Sequence, residues 1–198
     1  MLEVRWHGRA QQGVVTAAKV LGETCLRSGK YVQAFPEFGP ERMGAPVKAY
    51  NRISDDPIHM HCSVSSPGYV LIADPTLIGM SLAGGMETSG GVTEGATENA
   101  VFIVNTPKPP AEMRTALELD GKPAKVFTVD ASQISIDKIG RHIPNTPMLG
   151  ALAKATDMVT LEDLIDDFKT NYAKKYSEAV IDGNVEAMKA GYESISEG

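Results

Sequence analysis

A strand pattern, a glycine-bearing loop and a small-residue helix follow one another at the start of the chain, and this order restricts the fold more than any other feature. Residues 2–6 alternate apolar and charged side chains, the period of a half-buried strand. His7-Gly8-Arg9-Ala10-Gln11-Gln12-Gly13 closes that strand at about Trp6. Residues 14–26 then run at helical period, with Ala17, Ala18 and Gly22 small enough for close packing on a sheet. Strand, loop and tight helix make the first half of an α/β unit. Gly29 ends the helix, and residues 31–35 read as the next strand.

The rest of the chain extends this plan. Residues 47–53 and 58–64 each alternate around an Asp55-Asp56-Pro57 turn, which predicts an antiparallel hairpin beside an otherwise parallel sheet. Residues 69–73 form a nearly continuous apolar run closed by Asp74-Pro75, as expected of a central strand buried on both faces. A short helix over 76–80 leads into a glycine-rich, flexible stretch at 84–95. Strands are predicted over 100–105 and 124–130, ending in Asn105 and Asp130 at the carboxyl edge where open α/β sheets bind ligands. Residues 131–139 read as a helix. Small residues over 148–155 form another, and Thr160 with Asp163 caps a helix to about Phe168. A longer helix over 172–190 is interrupted in pattern by Asp182-Gly183, and residues 194–198 are expected to fray. The reading is one domain over 1–198: a Rossmann-like α/β core over 1–144, mostly parallel with an antiparallel hairpin, and a helical extension over 145–198.

Charge and cysteine usage then exclude several functions. Lys and Arg total 19 against 25 for Asp and Glu, giving a net charge of -6. A duplex nucleic-acid binder would need a basic stripe that this balance does not provide. Two cysteines are too few for a disulfide scaffold or an iron-sulfur cluster. Cys25 lies in the apolar helix pattern and reads as a buried free thiol. His59, His61 and Cys62 would alternate faces on a strand, a poor arrangement for a metal, so no metal site is assigned. The N-terminal residues carry charge at once, and no window approaches a membrane span, which leads to the expectation of a soluble cytoplasmic protein with no membrane partner.

Three loops are candidate sites. Gly8, Arg9, Ala10, Gln11, Gln12 and Gly13 lie between a strand and a helix N-terminus, where a phosphate or carboxylate is favoured and Arg9 can add a bidentate contact. The loop lacks both the dinucleotide fingerprint and a Gly-Lys-Ser/Thr, and a sharp turn with close helix packing explains it equally well. Residues 38–46 hold Glu41 and Arg42 between Pro40 and Pro46, with Gly44 fixing the backbone; the pair is either solvated surface or a docking element. Asn145 and Thr146 either cap the following helix or line a site. His7 and His142 lack a neighbouring nucleophile or carboxylate, and no GxSxG, CxxC or HExxH occurs, so no catalytic residue is assigned.

A series of short motifs in one order identifies a family resemblance. His7-Gly8-Arg9, Gln12-Gly13, Gln33-Ala34-Phe35-Pro36, Glu41-Arg42, Gly44-Ala45-Pro46-Val47, Asp74-Pro75-Thr76-Leu77, Asn105-Thr106, Thr128-Val129-Asp130-Ala131 and Asn145-Thr146-Pro147-Met148-Leu149-Gly150-Ala151 span nearly the whole length. The chain resembles the gamma subunit of thiamine-diphosphate-dependent 2-oxoacid:acceptor oxidoreductases of the pyruvate:ferredoxin type. The resemblance implies alpha and beta partners holding thiamine diphosphate and Mg, and a delta, ferredoxin-like partner bearing [4Fe-4S] clusters, with ferredoxin or another acceptor beyond. It implies acyl-CoA formation from a 2-oxo acid (pyruvate, branched-chain or aryl), this chain packing near the coenzyme A path and itself holding none of the cofactors. The family turn is typically Gly-Arg-Gly-Gly-Gln-Gly, whereas here Ala10 and Gln11 replace two glycines, so left-handed backbone is not expected at either. A free-standing nucleotide-binding enzyme and a purely structural module are the competing readings.

Overall fold

A computed structural model describes residues 1–38, 44–79 and 91–198. Glu41 and Arg42, along with most of the glycine-rich stretch over 84–95, lie outside the described residues. Among the described residues, seven strands form one sheet in the order β2-β3-β1-β4-β5-β6-β7. They are β1 (Leu2–Arg9), β2 (Tyr31–Phe38), β3 (Pro46–Ser54), β4 (Tyr69–Ile72), β5 (Val101–Asn105), β6 (Lys125–Val129) and β7 (Ser196–Glu197). Strands β1, β4, β5 and β6 run parallel, while β3 is antiparallel to both β1 and β2, and β7 to β6. The α/β sheet with parallel centre and antiparallel flank is as the sequence predicts.

Six α-helices among the described residues cover it: α1 (Val14–Arg27), α2 (Pro110–Ala116), α3 (Ala131–Ile139), α4 (Asn145–Ala155), α5 (Leu161–Tyr172) and α6 (Glu178–Ser194). Alternation along the strands divides the core in two. Val4, Trp6, Leu71, Ile103 and Phe127 face α1, α4, α5 and α6, whereas Val70, Ile72, Phe102, Val104 and Val126 face α2 and residues 92–100. Gly22 brings α1 close to β2, since a β-carbon there would lie 3.2 Å from both Ala34 Cβ and Val32 Cγ1. Trp6 Nε1 donates to Asn51 Oδ1 at 2.9 Å, and Asn51 Nδ2 donates to the Ala18 carbonyl at 2.7 Å, which ties β1, β3 and α1 together inside the core.

Several local expectations are corrected. Residues 58–64 form no strand; β3 already bonds β1 on one edge and β2 on the other, so no edge remains for them. The antiparallel pairing is β2 with β3 instead. β1 continues past Trp6 to Arg9, because β3 pairs with it as far as Pro46. The short helix after Asp74 is a 3-10 turn over Pro75–Leu77. Helix α6 runs unbroken through Gly183, whose missing side chain lets the Lys138 carbonyl approach; a β-carbon would lie 2.7 Å from that oxygen. The last residues pair with β6 rather than fray. Helix α2 was not predicted, although Pro110 at its first turn is a recognised start signal.

Candidate functional site

The crevice at the carboxyl edge between β1 and β4 is where the chain reverses its direction of winding. The loop after β1 turns to α1 on one face of the sheet, and the loop after β4 turns to Leu77 on the other. Ligands of open α/β sheets settle at such switch points. Arg9, at the end of β1, sits across this crevice from Asp74.

Arg9 is locked by its neighbours. Its Nε lies 3.1 Å from Asp74 Oδ2, its Nη2 donates to Thr76 Oγ1 at 2.8 Å, and its Nη1 donates to the Gly44 carbonyl at 3.0 Å. Gln12 spans the turn: its Oε1 accepts the Arg9 amide at 2.8 Å and its Nε2 donates to Asp74 Oδ2 at 2.9 Å. The Thr76 hydroxyl and amide both donate to Asp74 Oδ1, at 2.6 and 3.0 Å. Burial alone would raise the Asp74 carboxyl. The hydrogen bonds from Thr76 and Gln12, with the Arg9 charge, outweigh it and hold the group below the ordinary carboxylate value.

The glycines of the turn have distinct duties. A β-carbon on Gly8 would meet Val14 Cγ1 at 2.6 Å. Gly13, with φ 76, begins α1 with no side-chain cap, and Asn145 lies over it: a β-carbon there would come within 2.7 Å of Asn145 Nδ2. The left-handed backbone not expected at Gln11 is present, with φ 79; the residue is exposed, so its side chain meets no crowding from the core. Ala10 donates its amide to the Ala45 carbonyl at 3.0 Å, which joins the turn to the chain before β3.

The structure thus brings Gly8–Gly13, Gly44 and Asn145 to one place. It sends Thr146 elsewhere, buried with its hydroxyl on Asn184 Oδ1 at 3.1 Å. Neither residue caps α4, whose first flanking residue is Pro144. Asp74, Thr76 and Asn105 were not assigned to a site from sequence. Asn105 donates to the Ala73 carbonyl at 2.7 Å and to Ser132 Oγ at 2.8 Å, bracing the same edge. The Asp-Pro stop after an apolar run and the terminal Asn were the available signals.

Away from the crevice, burial pushes the Cys25 thiol up to about 12, so it stays protonated. Cys62 is exposed, and no group of three or more His, Cys, Asp or Glu among the described residues is placed to hold a metal ion. No helix among them is long and apolar enough to cross a membrane.

The pyruvate ferredoxin/flavodoxin oxidoreductase family model matches residues 3–194. The chain belongs to that family. The pyruvate synthase subunit PorC of Thermotoga maritima is 42% identical over 193 residues, covering 98% of this chain and 94% of that protein. The common gamma subunit of the pyruvate/ketoisovalerate oxidoreductases of Thermococcus litoralis is 40% identical over 193 residues, covering 98% and 96%. The crystal structure of the pyruvate oxidoreductase subunit PORC from Thermotoga maritima matches with a TM-score of 0.83 at 38% identity, covering 100% of this chain and 98% of that one. The family's gamma chain and its α/β fold are therefore those of this protein.

Proposed function

We propose that this chain is the gamma subunit of a multisubunit 2-oxoacid:ferredoxin oxidoreductase, and that its switch-point crevice borders the coenzyme A path. The complex removes carbon dioxide from a 2-oxo acid, passes two electrons to ferredoxin and joins the remaining acyl group to the coenzyme A sulfur. The relatives' names favour pyruvate or a branched-chain 2-oxo acid as substrate. Thiamine diphosphate with Mg belongs to alpha and beta partners, and [4Fe-4S] clusters to a delta, ferredoxin-like partner, in a cytoplasmic assembly. This chain's part is non-catalytic: it shapes the path and orients the incoming thiol.

The observation that carries this reading is the start of α1. Gly13 leaves the first turn without a side-chain cap, beside the Asn145 amide, at the sheet edge where Arg9 and Asp74 meet. Free helix N–H groups and an amide suit a phosphate of coenzyme A. Because Asp74 neutralises Arg9, the crevice binds through directed hydrogen bonds more than through net charge, and Gln12 ties the Arg9 backbone amide to the carboxylate that pairs with the guanidinium.

The test is native co-purification of the chain with its thiamine-binding and ferredoxin-like partners, followed by steady-state kinetics of Arg9→Ala in the assembled complex. Loss of a charged hydrogen bond, worth roughly 1.5–3 kcal/mol, should raise the KM for coenzyme A about 10- to 100-fold while the complex still assembles. Unchanged coenzyme A kinetics would remove the crevice from the path. Failure to co-purify with such partners would end the subunit reading.

A further inference from the structure

The sheet face opposite α1 carries charge where apolar cover is the rule. Alternation along β1 sends Val4 and Trp6 into the helical core and turns Arg5 and His7 to the other side, each only 5% exposed. Lys48 on β3 lies directly across from His7, and Tyr50 across from Arg5. Arg5 is anchored over the sheet, since its Nη2 donates to the carbonyls of Val92 at 3.1 Å and Glu94 at 2.6 Å. Its Nε and the Nε2 of His7 are nevertheless buried without a hydrogen-bond partner among the described residues. Native proteins keep few such atoms, and each asks for an explanation.

The two atoms share one chemistry. The guanidinium Nε–H is a donor, and the imidazole Nε2–H is one in the matching tautomer or when protonated. They belong to residues two apart on one strand, about 7 Å along it. Among the described residues, the acidic groups facing the pair are Glu37, whose carboxylate accepts the Tyr50 hydroxyl at 2.5 Å, and Glu94, whose charge acts on Arg5. A buried Nε–H on Arg5 and an Nε2–H on His7 suit an oxyanion, whose oxygens can accept from both. We propose that Arg5 and His7 form a buried binding site for one carboxylate or phosphate group. It lies on the face away from α1 and does not rest on the coenzyme A reading.

The imidazole supplies the signal by which the site can be followed. Burial, then the charges of Arg5 and Lys48, hold His7 well below its ordinary value of 6.5. A bound anion opposes those two cations and favours the protonated ring. The experiment is NMR of the full chain labelled with 15N-histidine, titrated separately with inorganic phosphate and with pyruvate at matched ionic strength. A saturable change at His7 is expected, with its pKa raised by about one unit, a tenfold preference of the anion for the protonated ring. Whichever arm saturates identifies phosphate or carboxylate as the group taken. Thermal melts of His7→Gln should lose the ligand-dependent rise that the wild-type chain shows. If neither anion produces a saturable change at His7, or if His7→Gln gains the same stabilisation as wild type, the proposal is overturned. Should His7→Gln not fold, the wild-type titration decides alone.

Discussion

Gly150 on α4 meets Met188 on α6 backbone to backbone: a β-carbon on Gly150 would lie 1.9 Å from the Met188 carbonyl oxygen. Gly191 repeats the contact from the other helix, 2.0 Å from the Pro147 carbonyl oxygen. With Met148, Leu149 and Leu152 fully buried on α4, neither helix can retreat without opening the core. Gly150→Ala and Gly191→Ala should each lose about 1–3 kcal/mol, the cost of overpacking. Urea unfolding would show this as a lower midpoint at unchanged slope, and wild-type midpoints would mean that the helices separate freely.

The two residues at the centre of the β1–α1 turn, Ala10 and Gln11, should respond in opposite ways to replacement by glycine. Gln11 holds φ 79, a conformation costing a side chain about 1–2 kcal/mol. Gln11→Gly relieves that strain, offset by about 0.5–1 kcal/mol of extra unfolded-chain entropy, for a small net gain. Ala10 has no left-handed backbone to relieve, so Ala10→Gly should lose stability by about 0.5–1 kcal/mol. Paired denaturation curves check the sign of each.

Gly13 and Asn145 form a pair suited to a double-mutant cycle. Gly13→Ala combines an unfavourable φ of 76 with an approach to the Asn145 amide. Asn145→Ala should recover the steric share but not the backbone share, leaving a coupling of about 0.5–3 kcal/mol. Additive losses would show that Asn145 swings aside at no cost.

The Arg9–Asp74 lock makes acid stability depend on one carboxylate. The folded Asp74 titrates below its ordinary value of 3.8, so its contribution is complete above that value and is lost as pH falls through the lower, folded value. Asp74→Asn should therefore be less stable than wild type at neutral pH, by roughly 1–3 kcal/mol. The gap should close in acid. Chemical denaturation at pH 7 and near pH 3 measures it, and a pH-independent gap would show that Asp74 acts through packing alone.

The parallel strands were legible because burial on both faces leaves a continuous apolar run, as in Val70-Leu71-Ile72. The Thr160 cap was legible because capping is local: its hydroxyl accepts the Asp163 amide at 3.1 Å. Residues 58–64 misled because alternation reports a face and not whether a partner edge is open. The glycine turn stood out, but its meaning did not. Asp74 reaches Arg9 only once β1 and β4 lie side by side with Trp6 beside Leu71 and His7 beside Ile72. Local pattern carries no trace of that register. Gln11 likewise shows a side chain adopting a glycine conformation on an exposed turn, which composition argues against.

The split between the two faces of β1 also guards its own alignment. A slip of one residue against β3 or β4 would carry Arg5 and His7 into the greasy layer beneath α1 and strand Trp6 among cations. A misaligned sheet would therefore meet a desolvation barrier as soon as α1 tried to settle on it. The polar groups on this face of β1 thereby select the register that keeps them out of the helical core.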